Sequence, residues 1–150
     1  MRHLCAAVTG LVVASVLSTA AFADEGAIKY RQASMKAVGG HMGAIAGILK
    51  GEVPHKDQLL GHTQALHALA LNTHTLFPEG SGKSAGKTEA LDKVWSDPDG
   101  FKKVVMSFES TTKTLVMAAE SGDMGAVGEA LGAVGKDGCK ACHTDYREKK

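Results

Sequence analysis

Near the end of the chain, Cys139-Lys140-Ala141-Cys142-His143 sets two thiols three positions apart, with an imidazole directly after the second. On a helix, positions i and i+3 share nearly one face, so both sulfurs project the same way. Thiols so placed can add across the two vinyl groups on one edge of a porphyrin. The imidazole that follows can then reach the iron from the proximal side, and this spacing is the mark of c-type haem attachment. The chemistry implied is one covalent haem c, with His143 as metal ligand. Other readings of a close cysteine pair fit less well. A thioredoxin-like redox pair belongs after a strand in a βαβ context, which this sequence does not show. A zinc site calls for about four ligands, and a structural disulfide leaves the adjacent His143 without a purpose. A haem-free helical protein for thiol redox or metal binding is the reading that these options leave open.

The elements that must position the motif read as helices. Ile28, Met35, Val38, Met42, Ile45 and Ile48/Leu49 recur at helical spacing, and Gly51 with Pro54 closes that segment. Lys56 to Phe77 carries Leu59, Leu66, Leu69 and Leu76 on one side before Pro78 stops it. Glu79 to Thr88 is rich in Gly, Ser and Lys and predicts a surface loop. Asp97-Pro98 predicts a helix start, followed by Phe101, Val104/Val105, Phe108, Leu115 and Val116, with Ser121-Gly122 as its end. Asp123 predicts the cap of a last helix running through Met124, Val127, Leu131 and Val134 to Cys142. Gly132, Gly135 and Gly138 precede the motif, and either close approach to a neighbour or simple tolerance accounts for them. No segment alternates as strands do. The expected fold is all-α: an antiparallel four-helix bundle with covalent haem c in its core.

Before these elements, residues 1–23 have the form of a secretory signal. Arg2 and His3 precede an apolar run from Leu4 to Leu17, and Ala21-Phe22-Ala23 fits the small-x-small cleavage pattern. The run is short for a membrane span. Cleavage predicts a periplasmic domain of residues 24–150 with no membrane span. Cys5 leaves with the signal, and loss of Arg2 balances the basic and acidic residues. A chain of 150 residues with 5% aromatics and a formal net charge of +1 carries no basic stripe for nucleic acid. Neither a carboxylate pair nor a Ser/His/Asp arrangement points to an enzyme. Arg147, Glu148, Lys149 and Lys150 read as a solvated, locally basic helix end.

With the haem motif late in a four-helix reading, the chain resembles the class II cytochromes c, the group of cytochrome c prime and its low-spin relatives. The resemblance rests on Lys29-Tyr30-Arg31-Gln32, Lys50-Gly51-Glu52, Val94-Trp95 with Phe101, and Cys-Lys-Ala-Cys-His followed by Tyr146-Arg147. It implies an axial His143 and places Arg31 and Gln32 near the haem propionates. Guanidinium suits carboxylates chemically. It also places Met35, four positions after Arg31, on the distal side of the haem. If Met35 binds iron, the protein is a single-electron carrier with low-spin His143/Met35 ligation, which is the leading expectation. If Met35 only packs, iron is five-coordinate and binds nitric oxide or carbon monoxide, as in cytochrome c prime. Thioether is a credible haem ligand, and Met is also a flexible core filler. Met42, Met106, Met117 and Met124 are expected in the core, and His41, His55, His62, His67 and His74 at the surface. His62 and His67, five apart, do not share a helical face and argue against a second metal site. The redox partner protein is not specified by the sequence, and the resemblance allows a homodimer through the first two helices.

Overall fold

A computed structural model describes residues 17–149, with side chains from Glu25 onward. Most of the expected signal, residues 1–16, therefore lies outside the described residues. Helix α1 (Leu17–Leu49) runs without a break across the expected cleavage position at Ala23. It stops where Gly51 adopts φ 70°, and the amides of Gly51 and Glu52 turn back to the carbonyls of Ile48 and Gly47. This left-handed glycine end is the one that the sequence predicts.

The single helix expected over Lys56 to Phe77 is instead three pieces. A 3₁₀ turn, Lys56–Gln58, leads into α2 (Leu59–Leu71), and a second 3₁₀ turn follows at Thr73–Leu76. Polar side chains explain the break. Asn72 Nδ2 donates to the Ala68 carbonyl at 3.1 Å, and Thr75 Oγ1 to the Asn72 carbonyl at 2.8 Å. Such side chains compete with the helix for backbone acceptors.

A short helix that the sequence did not signal, α3 (Lys93–Ser96), precedes α4 (Pro98–Ser121). Asp97 caps α4 by accepting from the Gly100 amide at 3.2 Å, Pro98 fills the first turn, and Gly122 ends it at φ 73°. Asp123 then caps α5 (Met124–Ala133), taking the amides of Gly125 and Ala126 at 2.8 and 3.1 Å. From there the expected regular helix does not continue. Val134–Lys140 widens into a π-helical segment before α6 (Ala141–Tyr146) restores the α geometry. Helices α1, α2, α4 and the composite α5–π–α6 are the four rods of the bundle.

Two apolar clusters hold the rods together. One joins Ile45 of α1, Leu66 of α2, Leu115 of α4 and Val127 and Val134 of the last rod, all essentially inaccessible to solvent. The other gathers Ala90, Val94, Phe101, Val105 and Tyr146, with the Phe101 ring edge-on to Phe77 and Tyr146 at 4.8 and 5.3 Å between centroids. Met42 and Met124 pack against the first cluster as expected. Met106 and Met117 do not: they are 56% and 60% exposed. The buried stripe of α4 runs through Phe101, Val105, Phe108, Thr112 and Leu115. Met106 and Met117 each stand one or two positions off that stripe, which turns them outward.

The chain end is not a free helix terminus. Arg147 is extended and forms an isolated antiparallel bridge with Ala90. The Leu91 amide donates to the Tyr146 carbonyl at 3.0 Å and the Glu148 amide to the Glu89 carbonyl at 2.8 Å. Arg147 pairs with Glu89, and Lys83 with Glu148. Pairing with a loop far back in the sequence overrides the solvated-helix reading. Among the described residues no helix is long and apolar enough to cross a membrane.

Candidate functional site

Cys139 and Cys142 stand at the change from π to α geometry, each partly buried and each a free thiol. Cys139 packs against the first apolar cluster and Cys142 against the second. The motif thus lies where the two clusters meet, an apolar setting that suits a porphyrin edge. Burial raises both thiols above their ordinary value. For Cys142 burial, with Cys139 and Asp145 as smaller contributors, pushes it up to about 11. Such a thiol carries almost no thiolate at neutral pH, so the pair lacks the activated nucleophile of a redox dithiol. His143, the next residue, is exposed on α6. Burial lowers its pKa, Arg147 lowers it further, and Glu89 opposes them. A neutral imidazole is the form that binds iron.

The close approach of α4 to this segment needs Gly138. A Cβ there would lie 2.9 Å from Phe108 Cδ2 and 3.2 Å from Thr111 Oγ1. Gly132 and Gly135 meet no protein atom within 4 Å. Of the three glycines before the motif, Gly138 is the one that neighbour contact requires, and the neighbour is a helix. Ser107 Oγ reinforces the contact by donating to the Asp137 carbonyl at 2.9 Å.

Arg31 is buried, at 3% exposure, and the structure gives it partners that the sequence did not suggest. Nη1 donates to the Leu76 carbonyl at 3.1 Å and to Ser81 Oγ at 2.9 Å. Nη2 donates to the Ser81 carbonyl and to Thr88 Oγ1, both at 2.9 Å. The guanidinium also stacks 4.8 Å over the Phe77 ring. Burial lowers its pKa, yet guanidinium stays charged in proteins. Of its five N–H groups, the four on the terminal nitrogens are committed to the protein. Nε alone stands outside these four bonds. Ser81 and Thr88 are buried for the same reason, so the expected surface loop is anchored at two points. Gln32 lies exposed on the next position and donates to the Lys87 carbonyl at 2.9 Å. Met35, one turn further along α1, is half-buried and joins neither apolar cluster.

A four-helix bundle that presents two thiols and an imidazole in this way has the architecture of a c-type cytochrome of the bundle type. The cytochrome c' family model matches residues 26–147, and the chain belongs to that family. It is 39% identical over 124 residues to the cytochrome c' of Pararhodospirillum photometricum, covering 83% of this chain and 98% of that one. It is 33% identical over 129 residues to a cytochrome c-556 of Agrobacterium tumefaciens, covering 85% and 99%. Among solved structures, a ferrous variant of Alcaligenes xylosoxidans cytochrome c prime with bound nitric oxide superposes with a TM-score of 0.76 at 31% identity, covering 85% and 97%. A carbon monoxide complex of the same protein gives 0.76 at 31%, covering 84% and 97%. The family carries one covalent haem c in a four-helix bundle, and its members are haem electron carriers or gas-binding proteins, not enzymes. The likeness favours the gas-binding expectation over the leading His143/Met35 one.

Proposed function

We propose that this protein holds one haem c through Cys139 and Cys142, with His143 on the proximal side and a distal face open to a small diatomic gas. The observation that carries the reading is the whole-chain likeness to cytochromes c', including solved relatives with nitric oxide and carbon monoxide bound. The haem supplies a redox-active iron that binds such gases and exchanges one electron at a time with a partner protein. The chain's own contribution is positional. Two thioether links and an imidazole from consecutive turns fix the porphyrin edge at the seam between the clusters. Met35, on the α1 face expected to be distal, crowds the far side without binding. Arg31 clamps the loop carrying Ser81 and Thr88, and only its Nε is left to turn toward a propionate. Residues 1–23 direct export, and the working protein is periplasmic.

A second reading, low-spin His143/Met35 ligation in an electron carrier, rests on Met35 itself, a thioether half-buried one turn beyond Arg31 on α1. An absorption spectrum of the mature protein, oxidised and reduced, with and without carbon monoxide, separates the two. A high-spin spectrum that shifts with carbon monoxide, and keeps its spin state in Met35→Ala, supports the gas-binding reading. A low-spin spectrum with a methionine-to-iron band that Met35→Ala abolishes makes the protein an electron carrier. A colourless protein from a host competent in haem attachment removes both.

A further inference from the structure

The end of the chain lies against the loop before α3, and Glu89 is the residue of that loop that meets the Arg147 side chain. Both of its neighbours are fixed. Thr88 Oγ1 takes Arg31 Nη2 at 2.9 Å and the Ala90 amide at 3.1 Å, and Ala90 is the residue that bridges to Arg147. The Glu89 carbonyl itself accepts the Glu148 amide at 2.8 Å. Its backbone is therefore set from α1 on one side and from the chain end on the other.

Arg147 Nε and Nη2 both donate to Glu89 Oε2, the first at 2.7 Å. Two N–H groups of a rigid fork on one carboxylate make a charge-assisted pair of defined direction. The side chains of Arg147 and Glu89 are 39% and 40% exposed, and at such exposure an ion pair adds little to stability. Its position gives it another effect. His143 lies four residues before Arg147. After burial, the charges that act on the imidazole are these two, and they oppose each other: Arg147 lowers its pKa and Glu89 raises it. The same opposition bears on an iron held there. The ferric site carries one more positive charge than the ferrous one, so a cation beside the ligand raises the potential and a carboxylate lowers it.

We propose that Glu89 is a positioning residue: it holds Arg147 beside His143 and offsets its charge, so that the pair sets the potential of the haem iron. The inference rests on the proposed attachment of haem at Cys139 and Cys142 with His143 on the proximal side.

The test is potentiometry of the haem-loaded mature protein, comparing the wild type with Glu89→Gln, Arg147→Gln and the double variant. Glu89→Gln should raise the potential and Arg147→Gln should lower it. Each should change the ferric/ferrous ratio by on the order of threefold, roughly 28 mV at about 59 mV per tenfold for one electron. The double variant should return close to the wild type. Because the pair is half-exposed, both shifts should shrink in roughly 1 M salt, where the Debye length is about 3 Å. A merely structural loss follows neither the sign of the charge removed nor the salt. If Glu89→Gln does not load haem, Glu89→Ala replaces it, with the same rise expected. Single variants that shift the same way, leave the potential unmoved, or shift equally at high salt would overturn the proposal. A protein that takes up no covalent haem, read from its pyridine haemochrome spectrum, overturns the haem reading and this inference with it. Unmoved potentials on a loaded protein overturn this inference alone.

Discussion

Arg31 and Ser81 are 50 positions apart, and one guanidinium takes both of the serine's oxygens, Nη1 to Oγ and Nη2 to the carbonyl, each at 2.9 Å. That fork turns α1 into the anchor for the loop between the second and third rods. Arg31→Leu would strip a donor from the buried Leu76 and Ser81 carbonyls and from both hydroxyls, although Thr88 Oγ1 keeps the Ala90 amide and Ser81 Oγ its bond to the Pro78 carbonyl. Each stranded group costs about 1–3 kcal/mol; because water can reach some of them, the expected net loss is about 2–4 kcal/mol. Arg31→Lys should recover only part, since an ammonium cannot span four acceptors in a plane. Denaturant midpoints of the haem-loaded variants measure both. A Leu variant as stable as the wild type would show that the fork is incidental.

The clearest features of the sequence were legible for a local reason. The haem motif, the Asp97 and Asp123 caps, and the Gly51 and Gly122 ends are each decided within five residues. What was not legible was decided elsewhere. Arg31 finds acceptors 45 to 57 positions away, His41 finds His62 on another helix, and Arg147 leaves the last helix to pair with Glu89. Nothing in Val134–Lys140 announces a π-helical segment, because a run with Gly135 and Gly138 is compatible with several helical widths.

Adding one methyl group at two nearby glycines should give opposite results. Gly138→Ala drives a Cβ against Phe108, and the overpacking is expected to cost about 1–3 kcal/mol and to lower the yield of attached haem, because Cys139 is the next residue. Gly135→Ala meets no protein atom within 4 Å, and a helical Ala is favoured over Gly by up to about 1 kcal/mol. Thermal midpoints and haem content of the two purified variants provide the comparison. Equal effects would mean that the Phe108 contact does not constrain the segment.

Before haem is attached, and so before His143 is held by iron, acid should weaken the fold through His143. Its folded pKa is depressed, by burial first and Arg147 second, so the unfolded chain takes up the proton before the folded one does. Stability from this residue is complete above the ordinary imidazole value and declines as pH falls through it toward the depressed folded value. Arg147→Gln removes the cationic neighbour and leaves burial opposed by Glu89, so the decline between neutral and mildly acidic pH should flatten. Unfolding free energies across that range, wild type against variant, test the sign. A steeper decline in the variant would contradict it.

The sequence holds one tryptophan. Trp95 Nε1 donates to the carbonyls of Phe77 and Pro78 at 3.2 and 3.1 Å, and its ring packs against the cluster that also receives Cys142. The molecule therefore carries its own optical gauge. A porphyrin seated at Cys142 absorbs where indole emits, so the protein should be nearly dark once loaded and fluorescent before. Cofactor delivery could then be followed in real time from the emission of this one tryptophan, without any attached label.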